Sequence, residues 1–152
     1  MKTTLLAVGK LRPAYREACD DYLARLRRFG AMGERELKEA PAAKAPTEQL
    51  RDEGRRLLDA VPDRATLIAL DRLGDGWTSE ELAEALERWR VAAQPLVLAV
   101  GGSRGLDRPV LERATHRWSL GPLTLPHELA RVVVLEQWYR AWTILRGEPY
   151  HK

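Results

Sequence analysis

The sequence has 152 residues, a formal net charge of +3 and 31% charged residues. This length is typical of one domain with a core that needs no disulfide or metal, and the single cysteine, Cys19, cannot close an intramolecular disulfide, so a reducing cytoplasm is expected. No Cys/His cluster has zinc-ligand spacing, so a structural zinc site is not expected. No apolar run approaches the roughly 20 residues that span a bilayer. The mild positive charge is compatible with binding to nucleic acid but does not require it.

The first part of the chain alternates strand and helix patterns. An apolar run from Thr3 to Val8 predicts a buried strand, and Pro13 predicts the start of a helix over 13–28. A weaker strand is expected from Glu34 to Glu39. After an exposed crossing from Pro41 to Thr47, we expect Thr47 to cap a helix over 47–60.

The second part continues this alternation. Apolar runs predict strands from Thr66 to Leu70 and from Leu96 to Val100, and a capping box over 78–81 starts the helix between them. A short helix from Pro109 to about His116, a strand from Trp118 to Leu120 and a helix from about His127 to Arg146 complete the pattern. The sequence predicts an α/β fold with a mostly parallel sheet flanked by helices.

Three loops follow predicted strands, and in open α/β sheets ligands bind beyond the carboxyl ends of the strands. The loops begin at Asp71, at Gly101 and at Gly121. The turn from Gly101 to Gly105 lets a ligand approach the backbone closely, although a tight strand-to-helix turn is the alternative. It lacks both the dinucleotide glycine pattern and the lysine of a phosphate-binding loop, which argues against hydride transfer and nucleotide hydrolysis.

The loop from Leu120 to Pro126 combines small, rigid and apolar residues. Such a loop offers backbone hydrogen bonds and apolar walls, a combination that suits an uncharged flat heterocycle such as adenine. A structural corner without a ligand is the alternative.

The last predicted helix is apolar around much of its circumference. Trp138, Tyr139 and Trp142 suit a two-fold subunit interface, because aromatic residues are enriched in interface cores, and complete burial within one subunit is the alternative. Arg131 and Arg140 are expected to face solvent, a partner or phosphate.

Three histidines are candidates for chemistry. His116 is expected at a helix end and His127 in a first helical turn, where neither is singled out. His151 lies beside Tyr150 and Lys152 in the segment Tyr150–Lys152, hereafter the tail. Terminal segments are usually without function, which is the alternative for this one.

Several motifs together resemble one known family, that of ribosomal RNA large subunit methyltransferase H. The likeness covers essentially the whole chain. The motifs are Leu6-Ala7-Val8-Gly9-Lys10, Leu70-Asp71, Gly101-Gly102-Ser103-Arg104-Gly105-Leu106, Leu123-Thr124-Leu125-Pro126-His127, Arg131-Val132-Val133, Glu136-Gln137, Tyr139-Arg140-Ala141 and Tyr150-His151-Lys152.

This resemblance implies a single SPOUT methyltransferase domain over residues 1–152, with a C-terminal trefoil knot that topology rules alone would not predict. It implies a homodimer that transfers a methyl group from S-adenosylmethionine to ring nitrogen N3 of a pseudouridine in 23S ribosomal RNA, on assembled ribosomes. No metal and no membrane are implied.

Positions carried over from the family divide into two sets. The cofactor set is Leu70, Asp71, Gly102, Gly121, Pro122, Leu123, Thr124, Leu125 and Pro126. Pro122 has no N–H, so a neighbour would have to donate any hydrogen bond to adenine. The catalytic set is the tail: His151 as proton acceptor, Tyr150 on the base, and Lys152 on phosphate or developing charge.

Two other functions remain open from the residues. A ribosome-associated protein could keep the fold without turnover, and cofactor binding followed by methyl transfer separates it from an enzyme. A small α/β nucleotide hydrolase is disfavoured by the missing phosphate-binding lysine.

Overall fold

The computed structural model describes residues 1–152 and consists of five strands and five α-helices. In chain order they are β1 (Thr3–Val8), α1 (Pro13–Leu26), β2 (Met32–Leu37), α2 (Pro46–Ala60), β3 (Thr66–Gly76), α3 (Ser79–Ala92), β4 (Leu96–Val100), α4 (Arg108–Arg113), β5 (His116–Ser119) and α5 (His127–Leu145). A 3-10 turn over Arg27–Phe29 extends α1.

All strands pair in parallel, in the order β2-β1-β4-β3-β5. Alternate residues of β1 enter different apolar clusters, with Leu5 packing beside α1, α3 and α5, and Leu6 beside α2 and α4. Helices therefore cover both faces of the sheet, as the apolar runs of the central strands predicted. The α/β architecture with a parallel sheet is confirmed.

Strand β3 is longer than predicted, because it pairs with β5 in two separate stretches. Leu70 and Asp75 both lie opposite Trp118, and the residues between them leave the regular register. Gly74 makes this close approach possible, since a Cβ there would overlap the Arg117 backbone. The irregular segment starts at Asp71, at the carboxyl end of the apolar run.

Two predicted helix ends are wrong. Helix α2 begins at Pro46 with Ala45 as its N-cap, so Thr47 is already inside the helix and does not cap it. Proline fixes the helical φ angle at the first turn, which sets the start one residue earlier. Helix α4 ends at Arg113, and His116 is the first residue of β5 instead of a helix end. The capping box is confirmed: Thr78 Oγ1 accepts from Glu81 N at 3.1 Å.

The aromatic residues of α5 do not form an exposed interface in this subunit. Trp138 is fully buried, and Tyr139 and Trp142 are 7% and 8% exposed. They pack on α1, α3 and the sheet, so these aromatic side chains are buried within one subunit. Their proposed place in a subunit interface is wrong. Leu129 and Val133, on the same helix, stay partly exposed.

Candidate active site

A cavity of about 690 Å³ opens beside the irregular segment of β3 that starts at Asp71, and beyond the ends of β4 and β5. This segment of β3 and the loops that follow β4 and β5 contribute to its wall. Eight of the nine residues expected at a cofactor line it: Leu70, Asp71, Gly102, Gly121, Leu123, Thr124, Leu125 and Pro126. Pro122 is exposed and is not part of the wall.

The glycine turn after β4 forms one side of this cavity. Gly105 N donates to the Gly102 carbonyl at 3.0 Å, which closes the turn on itself. A Cβ on Gly101 would overlap the Gly105 carbonyl, and Gly105 has a φ of 76°. Glycine is therefore required at both positions, and the backbone itself becomes the surface that a ligand meets.

Ser119 fixes the start of the loop on the opposite side. Its hydroxyl accepts from Gly121 N at 3.2 Å and donates to the Arg72 carbonyl at 3.2 Å. Gly121 has a φ of 115°, which turns the chain sharply after β5. One side chain thus links the irregular segment of β3 to the loop after β5.

The loop from Gly121 to Pro126 presents unused hydrogen-bond donors. The N–H groups of Leu123, Thr124 and Leu125 donate to no other group of the chain. Leu123 is 77% exposed, although it lines the cavity. The loop therefore offers amide donors and an apolar side chain together, the combination that recognises a flat heterocycle.

The rim of the cavity carries positive charge. Arg72 and Arg104 line the cavity and are exposed. Asp71 is already paired with Arg117, whose Nε lies 2.7 Å from the carboxylate. The unpaired cations favour an anionic partner at the mouth of the cavity.

The first turn of α5 is held by Glu128. This carboxylate accepts from the Arg12 backbone N–H at 2.7 Å and from Arg12 Nε at 2.8 Å. The backbone hydrogen bond, and then the guanidinium, hold the pKa of Glu128 below its usual range. The contact ties α5 to the segment after β1, and so positions Pro126 and His127 in the cavity wall.

Tyr150 packs on the side of α5. Its hydroxyl donates to Glu136 Oε1 at 3.1 Å, the Arg140 guanidinium lies 4.8 Å from its ring centre, and the Tyr139 ring meets it edge-on. Burial, together with hydrogen bonds to Tyr22 and Glu136, raises the pKa of Tyr150 well above its usual range. At neutral pH its hydroxyl is therefore a donor.

His151 bridges two helices. Its Nε2 lies 2.8 Å from Glu80 Oε1 on α3, and its Nδ1 lies 3.3 Å from Arg140 Nη1 on α5. Lys152 is exposed. None of the three tail residues lines the cavity, so within one chain the structure separates the expected catalytic set from the expected cofactor set.

Several residues near these places were not assigned to the cofactor set or to the catalytic set from sequence. Arg72, Arg104, His127 and Ala130 line the cavity, and Glu80, Glu136 and Arg140 contact the tail. Arg104 lies inside the glycine turn, and Ala130 lies one helical turn after Pro126, so these two could have been found. Glu80 is 71 residues from His151, and nothing in the sequence indicates their contact.

Two further features bear on the kind of site. No group of three or more His, Cys, Asp or Glu side chains is arranged to hold a metal ion. None of the helices has the length and apolar character needed to cross a membrane.

Known proteins resemble this chain over nearly its whole length. A family model described as "Predicted SPOUT methyltransferase" matches residues 1–151. The chain is 49% identical over 154 residues to "Ribosomal RNA large subunit methyltransferase H" of Rubrobacter xylanophilus, with 99% of this chain and 98% of that protein covered. It is 44% identical over 149 residues to the protein of the same name from Nitratidesulfovibrio vulgaris, with 97% and 96% covered.

A solved structure has the same fold. The chain is similar to a probable methylase family protein from Haemophilus influenzae with a TM-score of 0.54 and 11% identity, over 99% of this chain and 70% of that one. The fold of this solved structure agrees with the family match. The sequence identity to the relatives, 44% and 49% over nearly the whole chain, independently supports the same family. The chain is therefore a methyltransferase, and it belongs to the SPOUT family, among the relatives of ribosomal RNA large subunit methyltransferase H.

Proposed function

We propose that this enzyme transfers a methyl group from S-adenosylmethionine to ring nitrogen N3 of a pseudouridine in 23S ribosomal RNA, on the assembled ribosome. The observation that carries the proposal is the cavity between the irregular segment of β3 and the loops after β4 and β5, in a chain whose relatives bear the name of a large-subunit RNA methyltransferase. Such a substrate would place the enzyme in the cytoplasm.

The residues of the cavity fit the cofactor. Adenine needs amide donors and acceptors between apolar walls, and the free N–H groups of Leu123, Thr124 and Leu125 provide the donors. Leu70 adds an apolar side chain to the wall of the cavity. Pro122 has no N–H and cannot donate a hydrogen bond to adenine. Neighbouring backbone N–H groups of the same loop donate it instead.

S-adenosylmethionine supplies an activated methyl group on a sulfonium sulfur. The chain's own task is then to hold N3 in line with the S–CH₃ bond and to remove its proton, so few side chains are needed. The glycine turn and the loop from Gly121 to Pro126 hold the donor side of this arrangement.

We assign the acceptor side to the tail. His151 accepts the N3 proton, Tyr150 contacts the base, and Lys152 pairs with phosphate or with negative charge that develops on the base. Arg72 and Arg104 at the rim are placed to meet the RNA backbone, which accords with their exposure and lack of an acidic partner.

We further propose a homodimer of single SPOUT domains, each spanning residues 1–152, in which the tail of one subunit completes the cavity of the other. The separation of tail and cavity within one chain supports this arrangement. The partly exposed Leu129 and Val133 of α5 offer an apolar contact for a second subunit. Membership of the SPOUT family supports a trefoil knot in the segment that follows β5.

The test is methyl transfer to ribosomes. Ribosomes that lack the modification are incubated with the purified enzyme and labelled S-adenosylmethionine, and the RNA is mapped by nuclease digestion and mass spectrometry. We expect one methyl group on a pseudouridine of 23S RNA, and less on the same RNA stripped of protein. Label found on another nucleotide, or on none, contradicts the proposal.

A further inference from the structure

A chain of hydrogen bonds surrounds His151 where the start of α3 meets the middle of α5. Glu80 faces Nε2 of the imidazole at 2.8 Å, and Arg140 faces Nδ1 at 3.3 Å. The ring is 28% exposed and the Glu80 side chain 61%. The imidazole is therefore held on both nitrogens by groups from different helices.

The partner on each nitrogen determines where the ring proton lies. A guanidinium can only donate hydrogen bonds, so Nδ1 must be the acceptor and carries no proton in this arrangement. Nε2 must then hold the proton, which it donates to Glu80. Hydrogen bonds from the backbone of Glu80 and from His151 lower the pKa of Glu80, so this acceptor is a carboxylate at neutral pH.

Two nitrogens of Arg140 are held by Glu136. Glu136 Oε1 accepts from Arg140 Nε at 3.0 Å and from Nη2 at 2.5 Å. Gln137 donates to the other oxygen of Glu136 at 2.6 Å and accepts from Ser79 Oγ at 2.7 Å. The donor to Nδ1 thus belongs to a network that joins α5 to the first turn of α3.

We propose that Glu80 is a positioning residue for methyl transfer, which holds the His151 ring with its proton on Nε2 and leaves Nδ1 as the lone pair that takes the N3 proton. This inference rests on the proposed role of His151. It deepens that role, because it names the nitrogen that reacts and the group that orients it.

The charges balance through this step. The base displaces Arg140 Nη1 from its 3.3 Å contact with Nδ1, while Nε and Nη2 stay on Glu136. The N3 proton then moves to Nδ1, the N3–CH₃ bond forms, and the S–CH₃ bond breaks with its electron pair left on sulfur. The positive charge passes from the sulfonium to the imidazolium. Glu80 then faces an imidazolium at hydrogen-bond distance, and Glu136 retains Arg140.

The first measurement is made on the free enzyme by NMR. Nitrogen-15 labelled protein is examined for ring N–H protons, and the signals of His151 are assigned from their loss in His151→Ala. We expect a slowly exchanging proton on Nε2 in the natural chain and in Glu84→Ala, an exposed residue of the same helix. In Glu80→Ala we expect this proton to be lost to exchange. A proton on Nδ1, or a spectrum unchanged by Glu80→Ala, overturns the inference.

The second measurement is methyl transfer. Glu80→Ala should lower kcat about 10-fold, part of the roughly 10²–10⁴-fold contribution of a positioned proton acceptor, with KM for S-adenosylmethionine unchanged. Glu80→Gln, whose amide oxygen still accepts from Nε2, should recover part of the loss, and Glu84→Ala should lose nothing.

The outcomes separate this inference from the proposed function. Full activity in His151→Ala defeats the role of His151, and the positioning role of Glu80 with it. An inactive His151→Ala together with a fully active Glu80→Ala defeats only the role of Glu80.

Discussion

Arg131 of α5 and Glu34 of β2 form a buried ion pair, with Nη2 2.5 Å from Oε1 and the arginine side chain fully buried. Arg131 Nη1 also donates to the Gly9 carbonyl at 3.0 Å. The expectation that Arg131 would face solvent, a partner or phosphate is therefore wrong. This side chain joins the first half of α5 to β2 and to the residue after β1. Arg131 directly follows Ala130, which lines the cavity.

Glu34→Ala tests the weight of this pair. The substitution leaves the buried guanidinium with one remaining carboxylate, Glu36 at 3.7 Å, and also removes the partner of Arg16 Nη2. We therefore expect the free energy of unfolding to fall by about 3–5 kcal/mol. Urea denaturation measures the change. Glu17→Ala, which removes an exposed glutamate from α1, should change it by less than about 0.5 kcal/mol. A loss below about 1 kcal/mol for Glu34→Ala would mean that the pair behaves like an exposed one.

Sequence predicted the parts of the fold that depend on local pattern. The bounds of β1 and β4 agree with their apolar runs, and Thr78 caps α3 as its capping box indicates. The extension of β3 to Gly76 could not be predicted, because it depends on pairing with β5 some 40 residues later, across an irregular register.

The candidate site divides in the same way. The carboxyl ends of parallel strands meet at one edge of the sheet, whatever side chains follow them. The cavity could therefore be located from Asp71, Gly101 and Gly121, the residues at which the three predicted loops begin. The surroundings of His151 could not, because Glu80 and Arg140 reach it only through the packing of α3 against α5. The burial of Trp138 is likewise a result of packing, since an apolar helix fits a core and an interface equally well.

Gly101→Ala tests the glycine turn. Its Cβ would overlap the Gly105 carbonyl, so we expect a loss of about 1–3 kcal/mol in stability from overpacking and weaker binding of S-adenosylmethionine. Unfolding curves and titration calorimetry measure the two effects. Gly33→Ala is the matched control, because a Cβ there meets nothing within 4 Å. Equal behaviour of the two variants would contradict the close approach at the turn.

Leu123→Ala tests the apolar wall of the last loop. Leu123 is 77% exposed, so its truncation should leave the free energy of unfolding unchanged. A bound cofactor would cover it, and we expect S-adenosylmethionine to bind about 10-fold more weakly. Leu73→Ala, at 73% exposure and outside the cavity, should bind normally. Equal affinity in both variants would remove Leu123 from the proposed cofactor site.

His151→Ala tests the tail. Its contacts with Glu80 and Arg140 are partly exposed, so stability should change by less than about 1 kcal/mol, and cofactor affinity should stay the same because the residue lies outside the cavity. Methyl transfer to ribosomes should fall by about 10²-fold or more. Single-turnover assays measure this step. Undiminished transfer would return the tail to a structural role.

Mixed dimers test whether the tail acts on the partner's cavity. Leu123→Asp places a charge in the apolar wall and is expected to abolish cofactor binding, while His151→Ala leaves the cavity intact. When the tail serves the other subunit, a dimer of one Leu123→Asp and one His151→Ala chain contains one natural cavity facing one natural tail. Co-expression with two affinity tags isolates that dimer, and its methyl transfer should approach half that of the natural dimer. When each tail serves its own cavity, both sites carry a defect, and the mixed dimer should be as inactive as either parent.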